Sequence, residues 1–207
     1  MISVAIEFIG TLIILTAFEM LGQSYIKPLI NTMAFQSVLL AILIAILGFQ
    51  KGSLELIILA ILTLVVRGYI VPHVMKWNIR GNKIWDYREM TTGVPALVIT
   101  GIFLTVIGYG LYQTAFYPLF KIRGGALPII LLLLGFLLII ARKNALAQMV
   151  GYIMEENALL YAGTLLIPLS FILEAGILLD VIGLILLGVI LAEEREYGIL
   201  EIEELRG

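Results

Sequence analysis

Two adjacent carboxylates, Glu155 and Glu156, interrupt the apolar stretch 145–168. A later apolar stretch carries Asp180 near its middle and Glu174 six residues before it. An acidic side chain at the centre of a membrane helix is unfavourable by roughly 2.5–3.5 kcal/mol, so such residues usually face protein or water. They accompany either an ion pathway or a buried ion pair. The chemistry indicated is therefore exchange of protons or cations, or neutralisation of a buried charge.

The neighbours of the two glutamates distinguish them. Asn144, Gln148, Tyr152 and Glu156 are spaced four apart, so on a helix they form one polar line along one face. Glu156 lies about eleven residues into its span, or ~16 Å, near the middle of a ~30 Å hydrocarbon core. Glu155 points about 100° away and has no such line. We therefore expect Glu156 to be the ion-exchanging acid, with Glu155 a second candidate on the same helix.

Three further charged residues are candidates for the same site. Asp180 lies between Gly176 and Gly183, and small residues at this spacing let another helix approach closely, so we expect Asp180 to be buried against a partner helix. Glu174 is nearer the outer end of that span and about 120° round from Asp180. Arg67 is near the end of an earlier span, and we expect its head to reach toward the cytoplasm. Two interpretations stay open: ion translocation, or mutual neutralisation that fixes helix packing.

The elements that must position these groups are membrane-spanning helices. Of the 207 residues, 61% are hydrophobic and 14% are charged, and the mean hydropathy is +1.10, whereas a soluble domain is about half apolar and a quarter charged. Apolar runs long enough to cross a bilayer recur along the chain. The sequence predicts an all-α integral membrane protein with about seven transmembrane helices. The predicted spans are 2–22, 29–50, 54–72, 95–117, 126–141, 145–168 and 171–192. All six prolines fall at or close to the predicted helix ends, where proline is tolerated.

The Lys and Arg residues outside these spans are unevenly distributed. Nine lie on one side and three on the other, and the richer side is expected to be cytoplasmic. This predicts an N-terminus outside and a C-terminus in the cytoplasm. We expect three regions: a four-helix region over 1–117, a three-helix region over 126–192 and an acidic cytoplasmic tail over 193–207. The tail is either a solvated helix end or a docking strip for a cytoplasmic partner.

The composition also excludes several classes of protein. There is no cysteine and a single histidine, so the chain has neither the thiolates for an iron–sulfur cluster nor the two histidines for a bis-histidine haem. No Walker motif, metal-ligand constellation or paired nucleophile and base is present. We expect no cofactor in this chain, no nucleic-acid partner and a non-catalytic role.

The order of polar residues from Arg142 onward carries a family resemblance. The matching residues are Gln148, Gly151-Tyr152, Glu156-Asn157, and Glu174 with Gly176 and Asp180; upstream they are Gln36-Ser37 and Arg67 five residues before Pro72. With this set the chain resembles component E of hydrogenase-4 and of formate-hydrogenlyase-like complexes, in which the basic residue is lysine. Its last three spans are also similar to the K-type subunit of respiratory complex I and to the C subunit of multi-subunit sodium/proton antiporters. The acidic residues of the first and second matching helices of the K-type subunit would align with Ile153 and with a residue next to Asp180.

The resemblance implies a non-redox membrane subunit of an energy-converting respiratory or hydrogenase-type complex in the plasma membrane of a prokaryote. A peripheral redox arm on the cytoplasmic side would carry iron–sulfur clusters and, in hydrogenase-type members, nickel–iron. Antiporter-like subunits would lie beside this chain, and Glu156 and Asp180 would pass protons or sodium. Two alternatives remain: a self-sufficient small secondary transporter, or a purely structural membrane anchor for the redox arm. The missing inverted repeat argues against the transporter.

Overall fold

The computed structural model describes residues 2–79, 93–122, 124–166 and 169–204, and within these ranges the fold is all-helical with no β-strand. The helices are α1 (Ile2–Gly22), α2 (Ile26–Lys51), α3 (Leu54–Val65), α4 (Val71–Ile79), α5 (Val94–Leu111), α6 (Tyr117–Phe120), α7 (Ala126–Ala141), α8 (Ala145–Leu166) and α9 (Leu169–Glu204). A first π-helical turn, Val66–Ile70, joins α3 to α4, and a second, Tyr112–Phe116, joins α5 to α6. In the described ranges the helices therefore form seven continuous rods. The all-α prediction is confirmed for this part of the chain.

Most of these rods have the length and composition of membrane spans. Five are long and apolar enough to cross a bilayer, namely Val4–Gly22, Ile26–Lys51, Leu54–Trp77, Val94–Phe120 and Ile172–Ile190. The helix α7 is apolar but has 16 residues, and α8 has 22 residues and carries the adjacent glutamates. These features are those of a multi-pass membrane protein.

Each π turn stands immediately before an X-Pro pair. In the first, the N–H of Val71 bonds to the carbonyl of Val66, five residues back, and Pro72 follows. Proline has no N–H and crowds the carbonyl four residues before it, and the wider π turn accommodates both effects without ending the helix. The prediction that the third span ends at Pro72 is therefore wrong, because the helix continues to Ile79. The second π turn stands in the same relation to Pro118.

The two predicted membrane regions interdigitate in a single bundle. The helices α1 and α5 pack on α7, α2 packs on α8, and α3 packs on α9. The helices α7 and α8 approach closely where Gly135 faces Gly151: a Cβ added to Gly151 would lie 3.0 Å from the backbone nitrogen of Ile139. Small residues at such crossings let helix backbones approach each other in a membrane. The helix α8 thus lies between α7 and α2, with α9 on its outer side.

The buried side chain of Arg142 connects the start of α8 to the end of α1. Its Nη2 donates to the carbonyl oxygens of Met20 at 2.9 Å and Gln23 at 2.6 Å. Carbonyls in the last turn of a helix lack intrahelical donors, and the helix dipole favours a cation there. The structure makes Arg142 the cap of α1.

We expect Arg142→Leu to lower the free energy of unfolding by about 1–3 kcal/mol, because buried carbonyl oxygens would lose their donor. Lys143→Leu is the matched control, since Lys143 is exposed and a surface substitution usually changes stability by less than about 0.5 kcal/mol. Denaturation in mixed micelles by increasing SDS measures the free energy of unfolding of both variants. Equal stability of the two would contradict the capping role.

Candidate functional site

Arg67 lies at the centre of a buried group of side chains from three rods, which we call the Arg67 cluster: Arg67, Glu156, Asn157 and Asp180. The Nε of Arg67 donates to Asp180 Oδ1 at 2.5 Å, and its Nη1 donates to Asn157 Oδ1 at 3.2 Å. Its Nη2 lies 3.4 Å from Glu156 Oε2 in an ion pair. The exposed fractions are 1% for Arg67, 3% for Glu156 and 8% for Asp180. One guanidinium therefore contacts two carboxyl groups inside the bundle.

The first π turn positions the guanidinium. Arg67 is the second residue of that turn, and single π turns are frequent at functional sites. Because its side chain is directed between α8 and α9, the expectation that its head reaches toward the cytoplasm is wrong. Two carboxyl groups and an amide oxygen within the bundle supply the partners that water would otherwise provide.

A chain of buried amides and hydroxyls continues from the cluster to α1. The Nδ2 of Asn157 donates to Gln36 Oε1 at 3.3 Å and to Ser37 Oγ at 3.0 Å. Gln36 in turn donates to Thr16 Oγ1 at 3.1 Å and to the carbonyl of Ile13 at 3.3 Å. These bonds fix the amide of Asn157, so that its oxygen faces Arg67. Gln36 and Ser37 therefore hold the cluster in place from α2.

The two acids of the cluster are held differently. Asp180 accepts a hydrogen bond from the guanidinium. Within the described part of the chain, Glu156 Oε1 is buried and has no hydrogen-bond partner. Its carboxyl group faces Gly183, where an added Cβ would lie 3.1 Å from Oε1 and 3.3 Å from Oε2. Glu156 is thus the less tightly held of the two acids, and the helix that covers it presents only backbone at that point.

The predicted polar line lies along one face of α8, and its members have local contacts. Asn144 caps the helix, because its Oδ1 accepts from two N–H groups of the first turn at 2.9 and 3.3 Å. Gln148 donates to the carbonyl of Arg142 at 2.8 Å, and the side chain of Tyr152 interacts with that of Glu156. All three polar side chains are half-buried. They join the loop before α8 to the cluster, while the first two also stabilise the start of the helix.

Two candidate acids lie outside the cluster. Glu155 is half-buried between α7 and α8, where a Cβ added to Gly135 would lie 2.6 Å from Glu155 Cγ. Glu174 is exposed on α9. The structure therefore brings Glu156, Asp180 and Arg67 together, and it does not bring Glu155 or Glu174 to them. Asn157, which the sequence analysis named only within the resemblance, is the additional member of the site.

Comparisons with known proteins identify a relative of this chain but no family. No family model and no solved structure matches the chain. It is 23% identical over 213 residues to the uncharacterized protein Rv0085 of Mycobacterium tuberculosis, in a match that covers 99% of this chain and 96% of that protein. The similarity thus extends over nearly the whole of both chains.

Proposed function

We propose that this chain is a non-redox membrane subunit of an energy-converting respiratory or hydrogenase-type complex, and that it takes part in moving protons or sodium ions. In this proposal it crosses the plasma membrane of a prokaryote seven times, with the N-terminus outside and the C-terminus in the cytoplasm. The observation that carries the proposal is the composition of the Arg67 cluster, in which one cation contacts two carboxyl groups.

The charges of the cluster support exchange rather than simple pairing. With both carboxyl groups ionised, Arg67 leaves one negative charge uncompensated in a buried site, and such a charge is costly. The cluster is neutral when one carboxyl group carries a proton or when a cation joins it. A pair that served packing alone would need Arg67 and Asp180 only. Glu156 adds the site at which an ion is gained and lost.

The polar line offers the cluster a connection to one side of the membrane. Asn144, Gln148 and Tyr152 are half-buried along the face of α8 that leads to Glu156. Asn144 and Gln148 stabilise the start of the helix, and Tyr152 extends the polar line to Glu156. The asymmetry of Lys and Arg places this approach on the cytoplasmic side in our proposal.

The partners follow from the resemblance and from the surfaces that the bundle leaves open. The order of polar residues from Arg142 onward resembles that of component E of hydrogenase-4. We therefore propose antiporter-like and other membrane subunits as neighbours, and a cytoplasmic redox arm that holds iron–sulfur clusters and, in a hydrogenase-type complex, nickel–iron. Exposed apolar side chains such as Phe103 on α5 and Ile185 on α9 offer surfaces for lipid or for such neighbours.

Purification from native membranes in mild detergent, followed by mass spectrometry, tests the assignment to a complex. We expect antiporter-like subunits and an iron–sulfur or nickel–iron arm to be recovered with the chain, and redox-driven ion uptake after reconstitution into vesicles. Recovery alone or as a homo-oligomer would favour a self-sufficient transporter. Recovery with a redox arm, together with uptake that does not depend on Glu156, would favour a structural anchor.

A further inference from the structure

A cleft of about 480 Å³ with polar side chains in its lining opens between α1, the rod formed by α5 and α6, and α7. It lies at the start of α1, whereas Arg142 caps the end of that helix. The cleft is therefore at the opposite end of the bundle from the start of the polar line on α8. The residues that give it its polar character are Glu7, Thr11, Tyr109, Tyr112, Gln113 and Tyr117.

Tyr161 lies beyond the Arg67 cluster on α8, toward the end of the bundle that holds this cleft. It follows Asn157 by four residues on α8, which places both on one face about 6 Å apart along the axis. Its side chain is 1% exposed, and its hydroxyl group lies against Gly10 of α1, where an added Cβ would overlap it. Glu7 lies one turn before Gly10 on the same face of α1. Glu7 also lines the cleft.

The packing at this point restricts what can pass. A Cβ on Gly10 would lie 2.6 Å from Leu127 Cδ1 as well as against the hydroxyl of Tyr161, so these two side chains fill the space beside α1. A hydrated cation does not fit through such a contact, because it would have to displace both side chains. A hydroxyl group can relay a proton without moving aside, since its oxygen accepts one proton while its own hydrogen leaves.

We propose that the translocated ion is a proton, and that Tyr161 relays it between the Arg67 cluster and the cleft, where Glu7 exchanges it with water. This rests on the proposed function and specifies its ion and the second half of its route. In the outward direction Glu156 releases a proton and remains a carboxylate beside Arg67. Tyr161 accepts one proton and releases another, and the carboxylate of Glu7 accepts that proton and passes it to water. Glu156 and Tyr161 are about 7.5 Å apart along α8 and point about 140° apart around it, toward α9 and α1 respectively. The step between them therefore takes bridging water.

The substitution Tyr161→Phe tests the relay because it removes only the hydroxyl group. We expect redox-driven acidification of vesicles that contain the intact complex, in buffer without sodium, to fall to about a tenth of the wild-type rate. Tyr69→Phe is the matched control, since Tyr69 is 68% exposed and stacks on His73 away from the route. The control is expected to retain the wild-type rate. An equal rate in the two variants, or transport that requires sodium, would overturn the proposal.

A single introduced cysteine tests the cleft, because the chain has none of its own. With Gln113→Cys, a charged membrane-impermeant thiol reagent applied to the face that carries the cleft should react and block acidification. Leu54→Cys is the control, since Leu54 is exposed and lies at the same end of the bundle, close to Lys51 at the end of α2, whose Nζ donates to the carbonyl of Thr164 on α8. We expect it to react without a block. The wild-type chain gives the background from the other subunits.

The outcomes separate this inference from the function on which it rests. Reaction at Gln113→Cys without a block, or no reaction from either face, would overturn the outer route. If Glu156→Gln still abolished acidification, the proposed function would stand while the route through Tyr161 fell. If Glu156→Gln left acidification unchanged, the proposed function itself would fail, and the route with it.

Discussion

Redox-driven ion uptake is expected to fall at least about a hundredfold in Glu156→Gln while the complex stays assembled. Glutamine has the size of glutamate but does not exchange a proton or carry a charge. Arg67 and Asp180, whose side chains are 2.5 Å apart, would then be the only charged members of the cluster. The cluster would therefore be permanently neutral. Initial uptake rates in sealed vesicles, normalised to the amount of complex recovered, measure the effect.

Two matched controls make this experiment specific. Glu155→Gln and Glu174→Gln remove the same charge from α8 and α9, but these side chains lie outside the Arg67 cluster. Both are expected to keep uptake within about twofold of wild type, which corresponds to less than ~0.5 kcal/mol in the barrier. A similar loss in all three variants would indicate that any membrane carboxylate is required. Full uptake in Glu156→Gln would show that the cluster serves packing.

The largest effect on stability is expected from Arg67→Leu. This substitution removes the donor to Asp180 and to the amide oxygen of Asn157, and it removes the ion-pair partner of Glu156. Removing one partner of a buried ion pair costs about 3–5 kcal/mol, chiefly because the remaining charge is uncompensated. We expect the free energy of unfolding in mixed micelles to fall by that amount. A change below about 1 kcal/mol would mean that water already satisfies the carboxyl groups.

A combined variant separates packing from ion movement. Arg67→Leu, Asp180→Leu and Glu156→Gln together remove every charge from the cluster. Replacing a buried charged group with apolar side chains of similar size is often neutral or stabilising, so the triple variant should recover most of the stability that Arg67→Leu loses. It should nevertheless show no redox-driven uptake. Recovered uptake in this variant would contradict the role of the cluster.

The helices themselves could be predicted from sequence because bilayer crossing requires long apolar runs. The predicted spans 2–22 and 126–141 have the same limits as α1 and α7. The predicted end of the third span at Pro72 was wrong, because the rule that proline ends a helix does not consider a π turn, which accommodates the proline. Asn144 was predicted only as a member of the polar line, although an asparagine before an apolar helix is a preferred cap.

The partners in the site were harder to predict, because local spacing carries no information about contacts between distant helices. Glu156 and Asp180 were recognised from their positions within apolar runs. Arg67, however, pairs with a residue 113 positions later in the chain, and nothing near either residue indicates that contact. The same is true of Arg142, whose acceptors lie about 120 positions earlier. These pairings follow from the arrangement of the helices, which the sequence pattern did not contain.

The long separation between Arg67 and Asp180 has a consequence for biosynthesis. The rod that carries Arg67 leaves the ribosome before α8 and α9 exist, so its guanidinium enters the bilayer without a carboxylate partner. An arginine at the centre of a helix opposes insertion by roughly 2.5–3.5 kcal/mol, and the apolar residues around it must offset this term; the mean hydropathy of Leu54–Trp77 is 2.3. Glu156 on α8 is the first carboxyl group that can compensate the charge, and Asp180 adds a hydrogen-bonded partner when α9 docks. Docking of α8 and α9 therefore completes the cluster, and a nascent chain released before Glu156 would present an unneutralised cation to the quality-control machinery of the membrane.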